Sequence, residues 1–423
     1  MTKQVAPTDR PRSASARRLV CLIQQPLDAR NYERFGIQSW IRHGWCVEVW
    51  DLTPFLVPHV WADARASLAT FSGYFPIASS WELEERCAAV GSVDYFLDFT
   101  GVDRRAIRAK LRLIQLGAIR ITCELGSMPE PSDDSRTGFL RRAIRSITSA
   151  PAELPRRVID KFDRLRLADA VKPGLIVVSG RKSARAAEQQ VGSDKVISAH
   201  NFDYDIFLKH TGAAPTPAAT QHAVFLDQDL CFHFDFVSDQ VPSYVTPQQY
   251  FPAISKGLRT IAGALDTTAV IAAHPRASYR DRETDFFDGI PIQYGKTVDL
   301  IRDACVVIGH SSAAIQFAVL FRKPVVFVTT NELAASIGGE YIATFAAALG
   351  KSVINLERDV ERTNWHSELT IDYSRYADYR NEYVKLDGTP ELPLWDIVAS
   401  RLETDLRARR ASSEEGQRED TIR

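Results

Sequence analysis

The sequence predicts an α/β protein of two Rossmann-like, parallel-sheet domains. Three observations point there. Short apolar runs rich in β-branched residues recur along the chain, each ending in a polar or glycine cluster. Stretches of helical spacing separate the runs, and that alternation builds a parallel sheet. Residues 211–219, rich in Thr, Ala and Pro, interrupt the rhythm near mid-chain and read as a linker.

The elements follow in order. A strand is expected over 19–24. Helical spacing then runs from Asn31 to Trp45, carried by Tyr32, Phe35, Ile37, Trp40 and Ile41, and leads to a strand over 46–50. A helix over 81–90 precedes a strand over 94–99 that ends in Thr100-Gly101. A helix over 104–116 precedes a strand over 119–123 that ends in Glu124-Leu125-Gly126. Residues 137–167 depart from this rhythm. They are largely helical in pattern, and from Arg136 to Arg166 nine basic residues stand against three acidic ones. Such a run is a solvated basic face or a surface for an anionic membrane. Strands over 174–180 and 195–198 resume the pattern, followed by His200-Asn201-Phe202-Asp203-Tyr204-Asp205.

The second domain opens with a strand over 223–226 and a helix started by Thr246-Pro247, an N-cap followed by proline at the first helical position. Its centre is 268–329. A strand over 268–273 ends in His274-Pro275-Arg276, and a strand over 305–308 ends in Gly309-His310-Ser311-Ser312. From Ser312 the spacing turns helical, with Ala314, Phe317, Ala318 and Phe321 on one face. Lys323-Pro324 stops that helix before a strand over 325–328. A helix over 339–350, a strand over 353–355 and a last helix over 392–406 complete the chain. The domains are therefore expected at 18–212, with 136–167 as a basic insert, and at 220–406, between disordered tails at 1–17 and 407–423.

Composition sets limits. At 423 residues the chain can bury two cores. A formal net charge of -1 gives a nucleic-acid partner no support. Six scattered cysteines without a CxxC pair read as reduced, buried thiols, with no zinc site. No apolar stretch approaches the roughly 18–20 residues needed to span a bilayer, and no signal-peptide core precedes Arg17-Arg18. A cytoplasmic protein is expected, with any membrane contact peripheral and from the inner face.

Ligands of open parallel sheets bind beyond the carboxyl ends of the strands, where His274 and the Ser311-Ser312 pair are expected. The serines also stand where a helix is expected to begin, a place suited to phosphate. The plainer reading of Ser-Ser is an N-cap. Arg276 is a plausible phosphate partner.

His274-Pro275 and Ser311-Ser312, followed by an apolar helix and Lys323-Pro324-Val325, resemble the C-terminal half of GT-B glycosyltransferases that build bacterial surface polysaccharides. The pattern is similar to that of polysialyltransferases and capsule Kdo transferases, and it covers about 60–100 residues. The resemblance implies two Rossmann-like domains facing across a cleft, a nucleotide-sugar donor that is CMP-linked, and a glycan or lipid-linked acceptor. It implies donor contacts from His274, Pro275, Arg276, His310, Ser311 and Ser312, and no metal or other cofactor. Teichoic acid polymerases carry a similar element with acidic residues beside the serines. Gly309 and His310 stand there in this chain, which argues against glycerol phosphate as the transferred group.

An acceptor hydroxyl needs a general base, and in this fold it comes from the first domain. Asp98 and Glu124 end strands there, and Glu124 is favoured because Gly126 and Ser127 leave room beside it. Asp203 and Asp205 are next, as bases or as residues lining the hinge. Asp227-Gln228-Asp229 resembles a metal-binding Asp-x-Asp, although the same pattern serves as a turn, with His233 and Asp235 nearby as structural or cleft-lining residues. Two other functions fit the same features. One is a nucleotide-sugar epimerase of the same fold, and the other is a non-catalytic subunit that binds glycan or nucleotide.

Overall fold

The computed structural model describes residues 17–64, 68–131, 169–211, 222–232, 243–282 and 284–422. The basic insert, nearly all of the linker and of the N-terminal tail, and His233 and Asp235 lie outside the described residues. The chain divides into two compact units. Among the described residues, unit 1 holds 17–125, 169–202 and 388–422, and unit 2 holds 126–131 and 203–387.

Unit 1 is built on a seven-stranded sheet in the order β3-β2-β1-β4-β5-β6-β7, with every neighbouring pair parallel. The strands are β1 (Arg18–Ile23), β2 (Cys46–Asp51), β3 (Tyr74–Pro76), β4 (Tyr95–Phe99), β5 (Ile119–Glu124), β6 (Leu175–Val178) and β7 (Val196–Ser198). β1 is a continuous apolar run, as a strand covered on both faces requires. Five of its six residues are buried.

The helical stretch expected from Asn31 to Trp45 is two helices, Ala29–Arg34 and Ile37–Arg42. Gly36 separates them in the left-handed region at φ 64. A Cβ there would lie 2.0 Å from Cδ1 of Trp395. The break is therefore set by a residue far along the chain, a cause that local spacing cannot show. Trp395 opens the last helix, Leu394–Ile422, and its indole N–H donates to the carbonyl of Arg34 at 2.7 Å. Leu394, Trp395, Val398, Ala399 and Leu402 join the core of unit 1. The expected assignment of 392–406 to the second domain is thus corrected, as is the end of that helix. The helix continues to Ile422 through residues expected to be disordered.

Unit 2 holds a six-stranded parallel sheet in the order β10-β9-β8-β11-β12-β13. These are β8 (His222–Leu226), β9 (Thr268–Ala272), β10 (Ile292–Gln293), β11 (Val306–Gly309), β12 (Val325–Thr329) and β13 (Val353–Asn355). Its core is a single cluster in which Phe225, Ile271, Ile308 and Phe327 are each 0% exposed. Both sheets reverse direction beside their first strand, the doubly wound order. Two edge strands, β3 and β10, were not expected. At three and two residues they are too short to show a period.

Among the described residues no helix is long and apolar enough to cross a membrane. The cysteines are unpaired, and Cys46 is exposed where a buried thiol was expected.

Candidate functional site

The site of unit 2 is set by strand order. β8 lies between β9 and β11, so the loops leaving these three strands emerge side by side where the sheet reverses. The loop after β8 ties them together. Asp227 is 4% exposed. Its carboxylate accepts from the backbone N–H of Asp229 at 3.0 Å, from that of His274 at 3.1 Å, and from the Tyr279 hydroxyl at 3.1 and 3.2 Å. Burial outweighs these donors and pushes the Asp227 carboxyl up to about 6. On the other side, Gln228 accepts from the backbone N–H of Ser311 at 3.1 Å. Asp227 and Gln228 therefore hold the His274 turn and the Ser311 turn to the same loop. Among the described residues no cluster of three His, Cys, Asp or Glu side chains is placed to hold a metal ion.

His274 is half-buried, with Pro275 and Arg276 exposed beyond it. Its Nδ1 accepts from the backbone N–H of Arg276 at 3.3 Å. That bond places the proton of the neutral ring on Nε2, making it a donor. The Arg276 guanidinium has no partner among the described residues.

His310, expected to touch the donor, faces inward and is 1% exposed. Nδ1 lies 2.7 Å from the Val328 carbonyl and Nε2 lies 2.9 Å from the Tyr250 hydroxyl. The carbonyl can only accept, so Nδ1 carries the proton and Nε2 accepts from Tyr250. Burial lowers the imidazole to about 4, so the ring is neutral. Both nitrogens are consumed, and His310 acts as a spacer that anchors the serine turn rather than as a ligand contact.

The helix after the serines spans Ile315–Leu320, three residues later than expected. At six residues its dipole is small. Ser312 is not its cap, because the N-cap is Ala314 without a side-chain bond; the Ser312 hydroxyl closes the preceding turn, accepting from the backbone N–H of Ala314 at 3.2 Å. Ser311 is half-buried, and its hydroxyl has no partner among the described residues.

The carboxylates divide by environment. Asp98 is the penultimate residue of β4 but is turned inward, its side chain 0% exposed. Lys110 Nζ lies 3.0 Å away, Arg120 donates through Nε at 2.7 Å and Nη2 at 2.6 Å, and Thr100 donates through its backbone at 2.9 Å and its hydroxyl at 2.7 Å. A carboxylate so occupied is a structural anchor and a poor base. Glu124 closes β5 at the same edge, is exposed and has no partner among the described residues. Asp203 and Asp205 lie in the first turn of the helix Phe202–His210, where the helix dipole favours acidic side chains. Sequence reasoning missed Gln228, Tyr250 and Tyr279. Their roles depend on partners 83, 60 and 52 residues away, and no local pattern marks them.

No protein-family model and no curated protein sequence matches the chain. Among solved structures, the wall teichoic acid polymerase TagF soaked with CDPG for 30 minutes aligns at a TM-score of 0.52 with 8% identity, over 93% of this chain and 89% of that one. Another TagF structure aligns at 0.50 with 8% identity, over 94% and 90% of the two chains. The kitacinnamycin glycosyltransferase aligns at 0.48 with 13% identity, over 92% and 99%. The fold is that of the GT-B enzymes, two parallel-sheet α/β domains.

Proposed function

We propose that this chain is a GT-B transferase that moves a sugar from a nucleotide donor, CMP-linked, to a surface-glycan or lipid-linked acceptor. One observation carries the reading. At the reversal point of the unit 2 sheet, one buried loop fixes both the His274 turn and the Ser311 turn. It sets a half-buried imidazole and an exposed guanidinium after β9, and after β11 a hydroxyl with no partner among the described residues, with β8 between the two strands.

These groups suit a departing nucleotide. When the bond between the anomeric carbon and the phosphate oxygen breaks, the electron pair stays on the phosphate. Donors aimed at that oxygen stabilise the charge. His274 Nε2 and Arg276 supply them, and the Ser311 hydroxyl holds phosphate or ribose. No metal is required for these contacts. The acceptor hydroxyl gives its proton to Glu124 as its oxygen bonds to the anomeric carbon. Asp98 is set aside as the base because of its two cations. Asp203 and Asp205, which fall in unit 2 rather than in the expected first domain, are next should Glu124 fail. A cytoplasmic protein, peripheral at the membrane, suits a lipid-linked acceptor.

The test is a thermal-shift panel of CMP, CDP, UDP and GDP, with and without EDTA. CMP or CDP should raise the midpoint by binding the native state. EDTA should not change it, and His274→Ala should abolish most of the shift. A shift with UDP alone would overturn the CMP-linked donor and favour the epimerase reading. A shift that survives His274→Ala would remove His274 from the site.

A further inference from the structure

A cavity of about 400 Å³ opens on the helical face of unit 2, between the helix Pro247–Ala264 and the loop 285–288. Its volume falls in the range of small-ligand sites, about 300–1,000 Å³. Ser255, Lys256 and Arg259 line it from the helix, and Asp285, Phe286 and Asp288 from the loop. It is separate from the site at the strand ends. Ser255 lies nine residues beyond the Thr246 cap, about 13 Å along the helix axis.

Ser255 is 3% exposed, and its hydroxyl oxygen finds no hydrogen-bond partner among the described residues. A buried polar group left unmatched is costly, and each such group calls for a reason. The opposite wall is built to hold its shape. Asp288 takes the left-handed conformation at φ 52, with Gly289 at φ 82 after it. This turn sets the Asp288 carboxylate against Arg259. Asp285 braces the same turn, accepting from the backbone N–H groups of Phe287 at 3.2 Å and Gly289 at 2.6 Å. Phe286 is half-buried, its ring rooted on Phe251 at 4.7 Å between centroids.

We infer that this cavity binds a neutral saccharide, one or two pyranose rings of a glycan chain. Two cations face two carboxylates on the rim, so the site carries no net charge to select an ion. An anion would meet Asp285 and Asp288, and a cation would meet Lys256 and Arg259. Vicinal hydroxyls, each both donor and acceptor, match donors and acceptors set side by side. Phe286 supplies the apolar surface that the C–H face of a pyranose needs, and Ser255 supplies the remaining hydroxyl. The choice of a saccharide over other neutral polar ligands rests on the transferase reading; the cavity and its unmatched serine do not. In that setting the cavity holds the growing glycan away from the reacting end.

The experiment is saturation-transfer NMR on the intact protein with maltose and with chitobiose. Binding of at least one disaccharide is expected in the millimolar range, weakened about tenfold by Arg259→Ala and by Lys256→Ala, the loss of one charged hydrogen bond. Ser255→Ala should weaken binding while leaving the unfolding midpoint equal or higher, because it deletes an unmatched polar group. The proposal falls if neither disaccharide binds at about 50 mM, if binding survives Arg259→Ala and Ser255→Ala unchanged, or if inorganic phosphate takes the site. The CMP shift measured on the same samples separates the two readings. Saccharide binding that depends on Arg259 without a shift from any of the four nucleotides leaves this site standing and removes the transferase assignment.

Discussion

Asp227 and His310 are expected to pull the stability of unit 2 in opposite directions as pH falls. The Asp227 carboxyl is raised from 3.8 to about 6 by burial. The stability it contributes is complete below 3.8 and is lost as pH rises through about 6. At about 1.36 kcal/mol per pH unit the difference is ~3 kcal/mol. The His310 imidazole is lowered from 6.5 to about 4. Its contribution is complete above 6.5 and is lost as pH falls through about 4, again ~3 kcal/mol. In the native chain the two nearly offset each other between pH 4 and 6.5. Asp227→Asn should expose the histidine: relative to the parent, the variant loses ~3 kcal/mol on going from pH 7 to pH 4. His310→Asn should do the reverse and gain by a similar amount. Both substitutions also break hydrogen bonds, at about 1–3 kcal/mol each, but that cost shifts the whole curve and leaves its slope. The assay is urea unfolding across pH 4–7, followed by hydrogen exchange of the β8 and β9 peptides, with each variant subtracted from the parent so that other titrating groups cancel. Differences that stay within about 0.5 kcal/mol over this range would refute both environments.

Four further outcomes are expected. Glu124→Gln should lower turnover by about 10²–10⁴ with nucleotide affinity unchanged, as initial rates and the thermal shift would show. Asp98→Asn should act on stability instead, destabilising unit 1 by about 3–5 kcal/mol because it leaves Lys110 and Arg120 uncompensated; denaturation midpoints check it. Gly36→Ala should cost about 2–5 kcal/mol, since it adds left-handed strain to a clash with Trp395, and tryptophan fluorescence during unfolding would report it. Tyr250→Phe should destabilise unit 2 by about 1–3 kcal/mol by leaving His310 Nε2 buried without a donor, measurable by urea unfolding.

Much of this protein is determined locally and could be read from the chain. The strands β1, β6, β8, β9, β11 and β12 are short apolar runs bounded by polar or glycine residues, because a strand covered on both faces has no polar side to show. Pro247 starts its helix for a reason contained in the residue itself, whereas the expected Thr246 cap makes no side-chain bond to the helix and its hydroxyl donates to Glu332 instead. The positions of His274, Ser311 and Glu124 at strand ends follow from the same runs. The tertiary structure alone decided what those ends are made of. Asp98 and Glu124 look alike in sequence, each one acid at the end of one strand. Lys110 and Arg120 enclose the first and nothing among the described residues covers the second. His310 reads as a ligand beside two serines until Tyr250 and Val328 take both its nitrogens. Gly36 falls inside what reads as one helical stretch until Trp395, 359 residues later, occupies the place of its missing side chain. Helix and strand propensities act over a few neighbouring residues, whereas hydrogen-bond partners, burial and charge compensation depend on segments the fold brings together from far apart.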